Sequence, residues 1–332
     1  MYALEQNEKG MKLLMKSYWI KSVDEKEVNK FESLRENIKT DICIIGGGLT
    51  GLNLMYNLRK YNINTVLIEK DKICRSTSGN STAKITSQHG LIYKYLADSK
   101  GLDYAKNYYK ANEEAIENIA NIIRKENIQC DFEYQPSYVF TGTIEDIQKL
   151  KDEANVINSF DGKAEYLEAK DIEINNLIKI VAGVRFDKQA QFNPYKYANA
   201  LAKICSGPRM KIFEQTRAVD VIDEEDYYIV KTESGAEIKT KYLILTTKYP
   251  IVNIPGFYFL KMYQSTSYAV GMRTRERLFK GMYINSEKPT ISLRMAKDKD
   301  GYVLIVVGSD HKTGENIDLD NSYERLEKIA RQ

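Results

Sequence analysis

Three glycines at the end of an apolar run are the residues whose spacing points most directly to a chemical role. Residues 42–45 are apolar, Gly46, Gly48 and Gly51 follow, and a stretch with helical spacing of apolar residues comes next. In a β-α-β unit these glycines allow a tight turn, the approach of a pyrophosphate and close helix–strand packing. The start of the helix offers unpaired N–H groups to the anion. Glu69, eighteen residues after Gly51, is placed to accept hydrogen bonds from an adenosine ribose. The segment predicts a dinucleotide-binding unit.

A segment of small and hydroxyl-bearing residues follows the second strand of this unit. It reads Ser-Thr-Ser-Gly-Asn-Ser-Thr-Ala-Lys over residues 76–84, with Gln-His-Gly at 88–90. Its hydroxyl and backbone N–H groups could hold the far half of an extended cofactor. The same composition also fits an ordinary surface loop, and a nucleotide fold alone does not distinguish FAD from NAD.

Length and composition limit the remaining possibilities. A chain of 332 residues predicts two domains. The net charge of +3, without a basic block, gives no indication of nucleic-acid binding. No apolar run approaches the roughly 20 residues of a membrane span, and the N-terminal residues do not resemble a signal peptide. Four scattered cysteines and two histidines predict reduced, mostly buried thiols, a cytoplasmic location and no metal site.

The pattern of elements predicts an α/β protein with a Rossmann-like FAD/NAD(P)-binding domain and a second domain built on an antiparallel sheet. Helices are expected near 24–36, 102–127, 144–159, 168–172 and 195–205, and an antiparallel meander over 211–240 leads into an apolar parallel strand at 242–246. Alternating residues over 256–310 predict three or four antiparallel strands. The expected division is an N-terminal leader (1–37), a discontinuous FAD domain (38–95 and 180–255), a substrate domain (96–179 and 256–320) and a last segment (321–332).

Several of these segments together resemble FAD-dependent oxidoreductases of the D-amino-acid oxidase/glycine oxidase (DAO) superfamily, whose domain is of the glutathione-reductase type. They are Gly46–Glu69, the 76–84 loop and residues 191–201. The chain is most similar to a bacterial subgroup fused to a C-terminal Rieske iron–sulfur domain. The segments similar to that subgroup are 17–19, 77–90, 248–250 with 256–259, 267–268, 292–294 and 308–314.

The resemblance implies FAD as the cofactor and assigns residues to it. The pyrophosphate cradle would consist of Gly46, Gly48, Leu49, Thr50 and Gly51. Glu69 and Lys70 would border the adenosine ribose. The residues expected along the pyrophosphate, ribityl chain and ring edge are Ser78, Gly79, Ser81, Thr82, Ala83 and Lys84. The backbone of Val219 would meet the adenine, and Thr246 and Thr247 would form the turn that closes the nucleotide domain.

Two departures from the family pattern stand out. Lys248 replaces the glycine usual after Thr246 and Thr247. The chain reaches Gln332, inside an expected helix, before the glycine-bearing motif that meets the flavin ring in this family, and it shows no Rieske pattern of paired Cys-x-His. The resemblance therefore predicts a C-terminally truncated member of the family.

The chemistry implied by the resemblance is hydride transfer from a small amine, amino acid or hydroxy acid to flavin N5. The main contributions of the protein to this reaction would be to position the substrate and to bind its carboxylate. We expect Arg294, with Tyr268 nearby, to bind that carboxylate, since a guanidinium binds a carboxylate through two hydrogen bonds. His89 is a further candidate for the catalytic site, although a purely structural role fits each of the three as well.

Other functional classes stay open at this point. An NAD-linked dehydrogenase could use the same nucleotide fold, and a truncated chain could be a catalytically silent nucleotide-binding module. A pyridine-nucleotide–disulfide reductase is disfavoured, because neither a second GxGxxG nor a CxxC is present. The expected partners are a small-molecule substrate and an iron–sulfur or other electron acceptor, with no nucleic acid and no integral membrane segment.

Overall fold

A computed structural model describes residues 3–7, 10–14, 17–252, 256–315 and 318–332. The chain forms two compact units. One, called here the nucleotide unit, comprises residues 19–81 and 193–263. The other, the pocket unit, comprises residues 1–18, 82–192 and 264–332.

The nucleotide unit is built on a six-stranded sheet in the order β10-β11-β12-β3-β4-β9. Strands β3 (Ile38–Ile45), β4 (Thr65–Ile68) and β9 (Met210–Phe213) are parallel neighbours. Apart from the exposed Lys211 of β9 and the buried Thr65 of β4, the residues that pair in these three strands are apolar and buried, as expected for a parallel sheet. Strands β10 (Ala218–Asp223) and β11 (Tyr228–Thr232) form the expected antiparallel meander with the start of β12 (Glu237–Leu245). The strand expected at 211–213 as part of that meander is instead β9, which pairs parallel with β4 at the other edge of the sheet, so this part of the prediction is wrong.

Strand β12 joins two segments that the sequence suggested were separate. Its first half pairs antiparallel with β11, and nearly its whole length pairs parallel with β3, so that Tyr242 lies opposite Ile42. The parallel character expected at its end is confirmed. The helices of this unit are α1 (Tyr18–Lys21), α2 (Leu49–Leu58), α6 (Pro194–Cys205) and α7 (Tyr258–Lys261). The first residue of α1 belongs to the pocket unit.

The pocket unit is built on an eight-stranded, largely antiparallel sheet in the order β13-β16-β15-β14-β6-β8-β5, with β7 also paired to β8. Its strands are β5 (Lys84–Ile85), β6 (Glu133–Thr141), β7 (Glu165–Glu168), β8 (Ala182–Gln191), β13 (Ser265–Thr274), β14 (Met282–Asn285), β15 (Ile291–Asp298) and β16 (Gly301–Lys312). The antiparallel strands expected over 256–310 are confirmed.

Helices cover the apolar surface of this sheet. They are α3 (Tyr93–Lys100), α4 (Leu102–Lys125), α5 (Ile147–Ser159) and α8 (Leu319–Arg331). Leu150 and Ile157 of α5 lie in one buried cluster with Val184 of β8, and Leu326 of α8 lies in another with Val306 of β16. A separate hairpin of β1 (Ala3–Asn7) and β2 (Gly10–Leu14) completes the described strands.

Two expected helices are wrong. Residues 24–36 form turns and extended chain, because their backbone bonds with other parts of the unit: Thr216 Oγ1 accepts from Leu34 N and Glu32 O accepts from Glu214 N. Leu34 is buried in the core of the unit. At 168–172, the end of β7 is followed by a short 3₁₀ turn at 169–171, because β7 pairs with β8.

The unit boundaries also differ from the expected domain boundaries. Residues 82–95 and 180–192, expected in the FAD domain, belong to the pocket unit, since β5 pairs with β8 and β8 pairs with β6. The expected leader is divided after Tyr18, and the expected last segment lies in α8 of the pocket unit. Residues 253–255 and 316–317 lie outside the described residues. The division of roles between the units stays a prediction.

Candidate functional site

At two positions in the turn between β3 and α2, no residue larger than glycine fits. Gly46 has φ of +118°, and a Cβ there would lie 2.9 Å from the carbonyl oxygen of Thr246. A Cβ on Gly51 would lie 2.2 Å from the carbonyl oxygen of Gly46, which no side chain could tolerate. The first turn of α2 therefore packs directly on the end of β3, as the sequence predicted.

The N-terminus of α2 is left open to an anion. Gly48 occupies the N-cap position and no side chain caps the helix there. Within the first turn, the N–H of Leu49 donates to Ser78 Oγ at 3.2 Å, whereas Thr50 and Gly51 have no acceptor within the helix because of their position. These N–H groups and the positive end of the helix dipole suit a phosphate.

Glu69 lies at the end of β4, beside this turn. Its carboxylate accepts from Gly47 N at 2.8 Å and from Asp71 N at 3.0 Å. These bonds fix the carboxylate at the rim of the glycine turn and leave it capacity for further donors, since an ionised carboxylate can accept about four hydrogen bonds. Lys70, the next residue, is exposed.

The loop after β4 is held against the glycine turn by its backbone. Cys74 N donates to Gly47 O at 2.9 Å. Gly79 lies in a short 3₁₀ turn where a Cβ would come within 1.9 Å of Cys74 O. Trp19 Nε1 donates to Ser81 O at 2.9 Å and secures the end of the loop. Ser78, Gly79 and Ser81 therefore lie in one ordered loop whose first serine bonds to the start of α2.

The remaining expected cofactor residues of this unit lie in three places. Thr246 follows β12, and its Oγ1 donates toward Ile45 O and Gly46 O at 3.0 and 2.9 Å, so it lies directly against the glycine turn. Thr247 Oγ1 donates to Tyr249 O. Val219 lies at an irregularity in the β10–β11 pairing and its side chain is 54% exposed.

Taken together, these residues fit a dinucleotide cofactor. Two positions exclude any Cβ, the start of α2 has no side-chain cap, and Ser78 lies beside its first N–H group. A pyrophosphate could therefore approach the N–H groups of Thr50 and Gly51 directly, whereas at Leu49 it would share or replace the hydrogen bond to Ser78 Oγ. How each residue contacts the cofactor stays a prediction.

The pocket unit contains a cavity of about 500 Å³. Eight of its 17 lining residues carry a hydroxyl group, few are charged, and most of the exposed wall is apolar. Its lining includes Lys84, His89, Ser137, Ser292 and Asp310. Other hydroxyls in the lining come in alternating pairs on strands or beside them, at Ser265 and Ser267 and at Thr290 and Ser292. The cavity suits a small molecule that has both polar and apolar groups.

Lys84 is the cation in the wall of this cavity. It begins β5 opposite Gln191 of β8. Its Nζ donates to Ser292 Oγ at 2.6 Å and to the backbone oxygen of Tyr283 at 2.9 Å. Burial, and secondarily the positive charge of Arg294, lower the pKa of Lys84 to about 7.

Arg294 is buried, and its guanidinium donates hydrogen bonds to backbone carbonyl oxygens. Its Nη1 donates to the carbonyl oxygens of Thr82 and Ala83 at 2.8 and 2.6 Å. Ala83 has φ of +57°, a conformation that a non-glycine residue adopts only where its surroundings impose it. Burial lowers the pKa of the guanidinium. Arg294 thus lies at the loop expected along the cofactor, but it is absent from the described lining of the cavity.

The other two catalytic candidates are separated. Tyr268 of β13 is buried, its ring stacks on His311 with centroids 5.6 Å apart, and the described cavity lining does not include it. His89 does line the cavity, and its Nδ1 lies 2.7 Å from the Tyr108 hydroxyl. Burial lowers the pKa of His89. The structure therefore does not bring Arg294, Tyr268 and His89 together around one cavity.

Sequence reasoning missed a polar network beside Lys84. Ser137 Oγ donates to Gln88 Oε1 at 2.7 Å and lies 3.3 Å from Thr86 Oγ1. The sequence around these residues offered only the polar segment Thr-Ser-Gln at 86–88, directly after β5, as a signal. Ser137 reaches the cavity because of the register in which β6 pairs with β8. This register cannot be read from the sequence.

Comparison with known proteins agrees with this geometry. Residues 41–332 match the model of the family described as "DAO: FAD dependent oxidoreductase". The chain belongs to the DAO family of FAD-dependent oxidoreductases. The expected fold class, enzyme class and FAD cofactor are thereby confirmed at the level of the family.

Individual relatives give further context. Over 314 residues the chain is 30% identical to a Bacillus subtilis protein, YhfW, that is named for a Rieske 2Fe-2S iron–sulfur centre. The match covers 95% of this chain but only 60% of that protein. The subgroup resemblance is thus confirmed, whereas the activity and partners of the longer relative remain separate questions.

Solved structures show the same fold. L-proline dehydrogenase from P. horikoshii matches with a TM-score of 0.66 at 19% identity, over 90% of this chain and 76% of that one. Glycine oxidase from Bacillus cereus matches with a TM-score of 0.65 at 15% identity, over 88% and 77%. In the part of the chain that the structure describes, no helix combines the length and apolar character needed to span a bilayer. The four cysteines are buried and none of them forms a disulfide bond among the described residues, in line with the expected reduced thiols.

Proposed function

We propose that this chain oxidises a small amine, amino acid or hydroxy acid as an FAD-dependent oxidoreductase. Family membership supports the reaction class. The observation that carries the assignment to this chain is the glycine-only turn at Gly46 and Gly51, which leaves the start of α2 accessible to a pyrophosphate. The similarity to enzymes named for L-proline and glycine supports a small amino-acid-like substrate.

Different residues of the chain would bind the cofactor and the substrate. Gly48, Leu49, Thr50 and Gly51 would hold the pyrophosphate through backbone N–H groups, and Glu69 would accept from the ribose. When bound, FAD supplies the acceptor for the hydride that leaves the substrate carbon. The hydroxyl-rich cavity in the pocket unit would hold and orient the substrate, which is the main contribution of a protein to such a reaction.

The electron acceptor belongs to the same proposal. A reduced cofactor must pass its electrons on, and an iron–sulfur partner is the candidate that the name of the Bacillus subtilis relative favours. A cytoplasmic location remains the expectation from the buried cysteines, which form no disulfide bond among the described residues.

Gly51→Val tests the cofactor site. We expect the purified protein to acquire the visible absorption of bound flavin after incubation with FAD, and the variant to lose it, because the new side chain would collide with Gly46 O. Gly207→Ala is the matched control, since a Cβ at Gly207 meets nothing within 4 Å. Loss of flavin binding only in Gly51→Val supports the proposal.

Two results would reject it. One is a wild-type protein that takes up no FAD, or that binds NADH selectively. The other is an FAD-loaded protein that no amine, amino acid or hydroxy acid bleaches under anaerobic conditions, which would favour a catalytically silent nucleotide-binding module.

A further inference from the structure

The surroundings of the Lys84 amine are unusual for a lysine. Its two hydrogen-bond acceptors, Ser292 Oγ and Tyr283 O, are both uncharged. Among the described residues, no carboxylate lies within salt-bridge distance of Nζ. A buried ammonium without an opposite charge is costly, so this environment favours the neutral amine.

The charged groups around the cavity strengthen this preference. Arg294, two residues from Ser292 on β15, adds a second positive charge nearby and helps to lower the pKa of Lys84 to about 7. Asp310 of β16 lines the same cavity, but it is paired with Lys288 Nζ at 2.7 Å. Glu133 of β6 is held by both terminal nitrogens of Arg277.

The other titratable groups of the wall are less suited to accept a proton. Desolvation lowers the pKa of His89, which makes its imidazole a weaker base, and its Nδ1 is engaged with the Tyr108 hydroxyl. The hydroxyl of Tyr138 is a phenol, and burial raises its pKa. Tyr283, whose carbonyl holds Lys84, directs its own hydroxyl to Lys280 O. Among the groups that line the cavity and have a free lone pair near neutral pH, the Lys84 amine is a stronger base than the His89 imidazole, whose pKa is lowered below 6.5.

We propose that Lys84 accepts the proton of a substrate ammonium group bound in this cavity. The inference rests on the proposed function and narrows its substrate class to amines and amino acids. An N–H bond of the substrate ammonium breaks, an N–H bond forms on Lys84 Nζ, and the substrate nitrogen keeps the electron pair. Only the neutral amine has the lone pair that can form a C=N bond as hydride leaves the neighbouring carbon.

The cavity fits this step electrostatically. A neutral Lys84 does not repel an incoming ammonium, and the hydroxyl oxygens of Ser137, Ser265 and Ser267 can accept its N–H groups. A substrate hydroxyl is a far weaker acid than an ammonium, so a lysine would deprotonate it poorly. The proton acquired by Lys84 returns to solvent through the open part of the cavity.

The first experiment measures the protonation of Lys84 without any turnover. The FAD-loaded protein is labelled with trace acetic anhydride between pH 5 and 11, and the acetylation of each lysine peptide is quantified by mass spectrometry. Because only the free amine reacts, labelling of Lys84 should rise through a midpoint near its pKa of about 7. The exposed Lys110 of α4 serves as the internal reference. A midpoint for Lys84 at the position found for Lys110 would overturn the proposal.

The second experiment measures the limiting rate of anaerobic flavin reduction by an amine or amino acid between pH 5.5 and 9. In the wild type the rate should rise as Lys84 loses its proton. Lys84→Met should be about 10²–10⁴-fold slower and lack this rise. Lys84→Arg should be equally slow, because a guanidinium stays protonated in this range. Lys110→Met is the matched control and should reproduce the wild-type curve.

The arginine variant separates this proposal from a role in holding a substrate anion. If Lys84→Arg kept the rate and the pH profile, a positive charge would be what the site needs, and the proton-acceptor role would be wrong. Failure of the proposed function is distinguishable: no substrate would then reduce the flavin, whereas the labelling midpoint of Lys84 would still decide whether its amine is neutral.

Discussion

Arg294 shows how one side chain can have two plausible roles that the sequence does not distinguish. On an alternating strand, an arginine is suited to bind a substrate carboxylate. In the structure its Nη1 is already used by the carbonyl oxygens of Thr82 and Ala83. This bonding holds the loop that leads to Lys84 in a fixed conformation. Arg294 therefore positions the cavity lysine through the backbone, which is a different contribution from contacting the substrate.

Arg294→Met should lower the free energy of unfolding by about 2–4 kcal/mol, because two carbonyl oxygens lose their donor and at least one of them is buried. The measurement is chemical denaturation followed by circular dichroism. Arg273→Met is the matched control: Arg273 is 71% exposed and pairs with Asp298 on the surface, so its loss should cost less than about 1 kcal/mol. Equal effects of the two substitutions would contradict a structural role of Arg294.

At the level of elements, helices obtain their caps from different sources. Helix α6 follows the sequence rule, since Asn193 Oδ1 accepts from the N–H groups of Tyr195 and Lys196. Helix α3 begins after Ile92, which has no side-chain acceptor. Its first N–H groups, of Tyr93 and Lys94, donate instead to the carboxylate of Glu153 in α5 at 2.9 and 2.7 Å. A long-range contact thus supplies the missing cap.

The pH dependence of Glu153 follows from its burial. Desolvation raises the pKa of this carboxyl above its ordinary value of 4.5, although the backbone N–H groups partly offset this. The folded state then binds the proton more tightly than the unfolded state, so stability declines as pH rises from about 4.5 through the folded-state pKa. Compared with Glu153→Gln, the wild type should lose stability over this range and reach a plateau above it.

Denaturation curves at pH 4 to 8 would measure this difference. Glu153→Ala should be destabilised by about 1–2 kcal/mol or more throughout, because the start of α3 loses its cap. The exposed Glu114→Gln in α4 is the control and should change stability by less than about 0.5 kcal/mol. A wild type that gains stability relative to Glu153→Gln as pH rises would show that the carboxylate is stabilised in the folded state.

At the scale of the whole molecule, each unit has its own sheet and its own buried clusters. The only tryptophan of the chain, Trp19, belongs to the nucleotide unit. It is 2% exposed and holds Ser81 O, at the end of the loop expected along the cofactor. Its fluorescence therefore reports the unfolding of the unit that contains the glycine turn.

FAD should raise the temperature at which Trp19 becomes exposed, because a ligand that binds only the folded state stabilises it. The gain is about 2.7 kcal/mol at a free FAD concentration of 100 times Kd. Thermal unfolding followed by Trp19 fluorescence, with and without FAD, gives the shift. The shift should vanish in Gly51→Val and persist in Gly207→Ala. An unchanged transition in wild type at saturating FAD would argue against binding at this turn.

The local chemistry of the nucleotide unit could be predicted because its residues are neighbours in the chain. Local geometry determines which residues come into contact within one supersecondary unit. The signals that were read correctly are of this kind: the spacing of Gly46, Gly48 and Gly51, the acid at Glu69, and the helix start at Pro194. The helix expected at 24–36 failed for the opposite reason. Its backbone bonds with residues nearly 200 positions away, as Glu32 O does with Glu214 N, and local periodicity contains no information about such partners.

The amino-acid sequence by itself determined the fold class, the place of the glycine turn and the binding of a dinucleotide, since short-range steric and hydrogen-bonding rules are enough for these, while the choice of FAD came from the family resemblance. Only the tertiary structure decided that Lys84 faces a cavity beside Ser292 and that Arg294 holds the backbone of Thr82 and Ala83. Both depend on β15 and β5 lying in one sheet although more than 200 residues separate Lys84 from Ser292. The protonation of a side chain depends on the charges and the solvent around it, and that environment exists only once the distant strands have paired.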